Sequence, residues 1–240
     1  MNRPGPQLPL LLFAMLSLSA SAVAQPFSPG LDGKLRALLG IPYVEDAGLD
    51  ERGRWTRFSH PDQALDQPGL NCSGFLVAAA RRLLGFQGSL AEAARDRLGD
   101  SGPGARGGPD WDFGWDLVLN LSEWHPRCWV LPGADHPAPG VSGNSLPGFR
   151  VHDRAAWTQL SARWRLGRVY LATLRRGTGA SLRHHHVALL LKGEAGELGF
   201  YQTLPGGRVH RLALDTPEGL DRLCAMFGPG ERILILEVQP

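Results

Sequence analysis

The side chains best suited to chemistry in this chain are a cysteine and a histidine, each standing where a regular element should begin. Cys72 lies in Asn71-Cys72-Ser73-Gly74-Phe75, ahead of Phe75, Leu76, Ala79, Ala80, Leu83 and Leu84 at helical spacing. Asn71 is a good N-cap, so Cys72 falls in the first turn, where unpaired N–H groups and the helix dipole favour a thiolate. The same placement also suits a small buried cysteine or a disulfide partner. A cysteine nucleophile needs a base, and the base needs an orienting group. His184, His185 and His186 run directly into Val187-Ala188-Leu189-Leu190-Leu191. His186 is the one at the strand entrance, while the other two belong to the preceding loop. With the next hairpin centred on Glu194, His186 falls opposite Gln202 on one face. A one-residue slip would turn Gln202 to the other face and leave His210 as the next candidate.

Other chemistries fit less well. Three adjacent histidines could hold a metal, but neighbouring strand residues point to opposite faces, and no His-Glu-x-x-His or paired Cys-x-x-Cys accompanies them. Plain surface histidines are a further alternative. Gly102-Pro103-Gly104-Ala105-Arg106-Gly107 spells a dinucleotide-binding motif, yet no strand precedes it and a proline sits inside. Asp110-x-Asp112-x-Gly114-x-Asp116 is half a calcium loop with its glycine misplaced. Neither a metal nor a cofactor is expected. Trp111, Trp115 and Trp124, with Phe113, could stack on sugar rings or fill a local core.

These side chains need a scaffold, and the pattern predicts an α+β one. Helices are predicted over Leu31 to Leu39, from Phe75 to Leu84, Leu90 to Leu98 and Ala155 to Arg165. Strands are predicted at Arg168 to Leu174, His186 to Lys192, Leu198 to Leu204, Arg208 to Leu212 and Ile233 to Val238. Residues 46–69 read as a surface loop. Residues 99–150, rich in glycine and proline, read as an insertion into a smaller catalytic core.

The 240-residue chain opens with Arg3, a short apolar run from Leu8 to Ala20, and small residues at Ser21-Ala22-Val23-Ala24. This is the pattern of a secretory signal over residues 1–24, too short for a membrane span. Residues 25–240 then form one domain, periplasmic or secreted, with no later membrane span. The formal charge of +2 becomes +1 without Arg3, which excludes a strong nucleic-acid footprint. Of the three cysteines, an oxidising compartment suggests one disulfide and one free thiol; reserving Cys72 for chemistry leaves Cys128 and Cys224 as the pair. The oligomeric state is not legible.

Read in order, Leu39-Gly40-Ile41-Pro42-Tyr43, Leu70-Asn71-Cys72-Ser73-Gly74-Phe75 and His186-Val187-Ala188 resemble the NlpC-type cell-wall cysteine peptidases. The resemblance implies a papain-like fold, with N-terminal helices packed on an antiparallel sheet. It implies Cys72 as nucleophile, His186 as base and Gln202 as the third polar residue, with Tyr43, Asn71 and Ser73 touching substrate. Asn71 replaces the family's aspartate, and Glu45-Asp46 stands where a tryptophan-glycine pair is usual. The implied activity is amide hydrolysis in peptidoglycan stem peptides. A papain-fold acyltransferase or lipid-amide hydrolase, and a non-catalytic cell-wall binding module, are the alternatives.

Overall fold

The structure is a computed structural model that describes residues 30–102, 104–105, 108–137 and 145–240; the expected leader lies outside them. It is an α+β arrangement. Helices α1 (Leu31–Leu35), α2 (Cys72–Leu83), α3 (Leu90–Ala93) and α4 (Phe113–Leu121) dominate the first half, with a small hairpin of β1 (Ala47–Leu49) and β2 (Trp55–Arg57). Then come β3 (Arg127–Leu131), β4 (Ala134–Pro137), β5 (Phe149–Arg150), α5 (Arg154–Ser161), β6 (Val169–Arg176), β7 (Arg183–Lys192), β8 (Leu198–Gln202), β9 (His210–Ala213), α6 (Pro217–Met226) and β10 (Arg232–Val238). The main sheet runs β4-β3-β10-β6-β7-β8-β9, with β5 also on β10, and every pairing is antiparallel.

Both faces of this sheet are covered, which is why its central strands read as unbroken apolar runs. Thr173 and Val187 pair and share one face. Helix α4 lies there: a Cβ on Gly114 would stand 2.7 Å from Thr173 Oγ1 and 3.2 Å from Val187 Cγ1. Helix α2 packs beside α4 and against β7. Leu174 and His186 pair and share the opposite face with Ile233 and Phe149. Here α5 places Trp157 5.1 Å from the Phe149 ring, and Phe227, just after α6, stands 5.5 Å from His186.

Two segments differ from the sequence expectation. The described part of residues 99–150 is not loop alone: it supplies α4, β3, β4 and β5. Trp115 is 1% exposed and stacks on Trp129 of β3 with ring centroids 4.3 Å apart. Glycine and proline in the flanking turns mask a helix whose apolar residues surround it. Residues 46–69 contain the β1–β2 hairpin, whose turn is tied by Asp50: its carboxylate accepts from the backbone N–H of Arg52 and Arg54, and from Arg54 Nε at 2.7 Å. Among the described residues, no helix is long and apolar enough to cross a membrane.

Candidate active site

Helix α2 begins as the sequence requires. Asn71 is its N-cap, accepting from the N–H of Gly74 at 2.7 Å, and Cys72 is its first residue. Gly74 is demanded by close approach: any side chain there would overlap the carbonyl oxygen of Ala47 and stand 2.8 Å from Cα of Gly48. This contact locks the first turn of α2 onto β1. Tyr43 is brought beside the same turn, because its segment bridges to Leu70 and its N–H donates to Gly207 at 2.9 Å.

Strand β7 brings up the histidines, and all three lie within it rather than in a preceding loop. The β6–β7 register shifts between Leu174, opposite His186, and Arg175, opposite His184. His185 is therefore the extra residue of a β-bulge, which flips the alternation ahead of it. His184 turns to the α4 face, its ring 6.1 Å from Trp111 and 5.7 Å from Trp115. His186 turns to the opposite face, where it is 6% exposed and hydrogen-bonded through Nε2 to Gln202 Oε1 at 2.9 Å.

The β7–β8 register is two residues from the expected one. Leu189 faces Tyr201 and Leu190 faces Phe200, which centres the hairpin on Ala195 and sets Gln202 diagonal to His186. A shift of two preserves the face, so the pair still meets. Gln202 is completely buried, and its amide nitrogen is 3.1 Å from Met226 Sδ. That contact keeps Oε1 toward the imidazole. Nε2 of His186 therefore carries the proton it donates, leaving the lone pair on Nδ1.

Pairing of β8 with β7 ends at Leu189, so the strand edge ahead of it is uncovered on that side. Just there Cys72 meets β7: the backbone N–H of Val187, the residue after His186, favours a negative charge on its sulfur, which lies 3.9 Å from Ser73 Oγ. No hydrogen bond joins Cys72 to His186 in this structure. The backbone N–H groups of Cys72 and Ser73 also favour the thiolate, but burial outweighs them and pushes the thiol above its ordinary value of 9.0. Burial likewise pushes His186 down to about 4, against the opposing effects of Gln202 and the Glu231 charge. The thiolate expected from helix placement alone is thus not the resting state. Near neutral pH both groups are uncharged.

A cavity of about 530 Å³ opens beside the first turn of α2, lined by Asn71, Ser73, Asp46, Phe58, Phe113 and His184 among others. Two of the three expected substrate contacts, Asn71 and Ser73, border it; Tyr43 does not.

The expected disulfide is not formed: Cys72, Cys128 and Cys224 are all free. Cys224 Sγ sits 3.7 Å from the carbonyl of Val151, whose N–H bonds Glu231 just before β10, whereas Cys128 pairs with Glu237 near its end. Six residues of strand span about 20 Å, far beyond the roughly 7 Å that a disulfide can bridge between Cα atoms. Of the tryptophans, Trp111 and Trp115 are core and Trp124 alone is open, at 88% exposure. Among the described residues, no cluster of histidine, cysteine or carboxylate side chains could hold a metal. The sequence reading missed the bulge at His185 and its partner Glu231, which lies 2.7 Å away through Oε2. In comparisons with known proteins, no family model, curated protein or solved structure matches the chain.

Proposed function

We propose that this chain is an exported cysteine hydrolase of papain-like architecture that cleaves an amide bond, with peptidoglycan stem peptides as substrate. The observation that carries the reading is the convergence on one strand edge of a helix-start thiol, the N–H groups of Cys72, Ser73 and Val187, and a buried His186–Gln202 pair. Those N–H groups form a polar cradle beside the nucleophile, the arrangement that stabilises an oxyanion.

In this reaction Nδ1 of His186 takes the Cys72 proton as the sulfur attacks the substrate carbonyl carbon. Gln202 holds the ring through Nε2. The imidazolium then protonates the leaving amine, and a thioester remains on Cys72. Water, deprotonated by the same nitrogen, hydrolyses the thioester and frees the thiol. The hydrogen bond between Cys72 and His186 forms as substrate closes the gap, since such contacts commonly tighten only in the substrate complex.

The test is to incubate purified muropeptides with wild type and with Cys72→Ala and to weigh the products. New fragments from the wild type alone support the reading. Intact muropeptides with both proteins refute stem peptides as substrate. An acyl group recovered on an added amine or alcohol, rather than on water, would move the assignment to an acyltransferase.

A further inference from the structure

Once His186 accepts the Cys72 proton it carries a positive charge, and Gln202 offers that charge only a neutral acceptor. We propose that Glu231 is a positioning residue for this chemistry: its carboxylate, held by His185, stabilises the imidazolium that forms on His186. The inference rests on the cysteine-hydrolase reading and extends it to a group outside the expected triad.

The geometry assigns the role to Glu231. It occupies the turn before β10, with its N–H donating to Gly228 and its carbonyl accepting from Val151, both at 3.0 Å, so its backbone is fixed at both ends. Its side chain is nearly buried, and Oε2 accepts from Nε2 of His185 at 2.7 Å. Glu231 directly precedes Arg232, the first residue of β10, and the following Ile233 pairs with Leu174, the partner of His186. The bulge supplies the other half of the arrangement, because it inserts His185 directly beside His186 and toward this carboxylate. Partial burial disfavours the charged form of His185, against the opposing hydrogen bond and charge of Glu231, and the neutral ring can anchor Glu231 through Nε2.

The other charged side chains nearby are arginines, which cannot take the place of a carboxylate. Arg175 donates to the carbonyl of Leu146 at 2.8 Å, and Arg232 donates to those of Pro147 and Gly148. The charge of Arg176 is felt at His185. From α6 and the residue after it come Met226 and Phe227, whose carbonyl is 2.7 Å from Nε2 of His152, and from α2 the Cys72 thiol. Among the described residues, Glu231 is the carboxylate whose field reaches His186.

The experiment follows the imidazole signals of His186 by NMR titration in the full protein, before and after carboxymethylating Cys72 with iodoacetate. A carboxylate placed on Cys72 should raise the His186 midpoint by one pH unit or more, provided the two residues work together. Glu231→Gln should lower that midpoint by at least half a unit in the alkylated protein and reduce kcat about tenfold with little change in KM. Glu231→Asp should restore part of both effects. His185→Gln, which can still donate to Glu231, should retain most of the wild-type midpoint. A midpoint insensitive to Glu231→Gln, in protein whose His186 does respond to carboxymethylation, would overturn the role of Glu231 and leave the hydrolase reading standing. A His186 that ignores the carboxymethyl group would overturn both.

Discussion

The resting thiol should behave as an unactivated one, and the expected rate follows from the site. Burial holds Cys72 above 9.0 and His186 at about 4, so moving the proton between them before substrate arrives spans at least five pH units. At about 1.4 kcal/mol per unit that is about 7 kcal/mol uphill. A turnover near 1 per second corresponds to a barrier of about 17 kcal/mol, so at most about 10 remains for the attack itself. Proton transfer that accompanies attack rather than preceding it avoids populating this ion pair. At pH 7 less than about one thiol in a hundred is ionised. Iodoacetamide should then label Cys72 roughly tenfold faster for each pH unit between 7 and 9, with no plateau below pH 9. His186→Ala should leave that profile nearly unchanged. The assay is pseudo-first-order labelling from pH 5 to 10, with the adduct located by peptide mass. A rate plateau anywhere between pH 5 and 8, abolished in His186→Ala, would reveal a resting thiolate–imidazolium pair and refute the energetics above.

Three further outcomes are expected. Gln202→Ala should lower turnover by less than Cys72→Ala and by no more than the roughly 10²- to 10⁴-fold that acid–base catalysis supplies, with circular dichroism unchanged; undiminished turnover would remove Gln202 from the site. Gly74→Ala should cost about 3 kcal/mol or more in chemical unfolding, because its methyl group has only the Ala47 carbonyl to displace, and a neutral result would mean that β1 does not press on α2. Burial, with the nearby Asp112 charge, pushes Asp116 up to about 7. The folded chain thus binds the extra proton between the ordinary 3.8 and 7, and stability falls as pH rises through that window. Asp116→Asn should gain on wild type from pH 4 to pH 8, up to a ceiling of about 4 kcal/mol, as read by denaturant midpoints; a pH-independent difference would place the titration elsewhere.

What could be read from the sequence was local or periodic. The cap by Asn71 and the first-turn position of Cys72 depend on residues a few positions apart. The shared face of His186 and Gln202 survived a two-residue error in register because side chains alternate with period two. The rest depends on contacts that no spacing announces. Glu231 meets His185 across 46 positions of chain. Helix α4 was hidden between glycine- and proline-rich turns, although Trp115, Leu117, Val118, Leu119 and Leu121 are the apolar run that could have exposed it. The pairing of Cys128 with Cys224 failed for the opposite reason: counting cysteines carries no distance, and the sheet holds the two far apart.

The bulge at His185 also changes what a loss-of-function experiment on this strand would mean. Leu174 now faces His186, with His185 as the extra residue. Moving the bulge one residue toward Val187 would set His185 opposite Leu174, in the place His186 now holds. Because three histidines stand in a row, either placement presents an imidazole at that position. The triplet is in this sense a reading frame with a built-in spare. Residual turnover in His186→Ala would measure how readily the frame slips, and the true zero for the proposed base is the double replacement of His185 and His186.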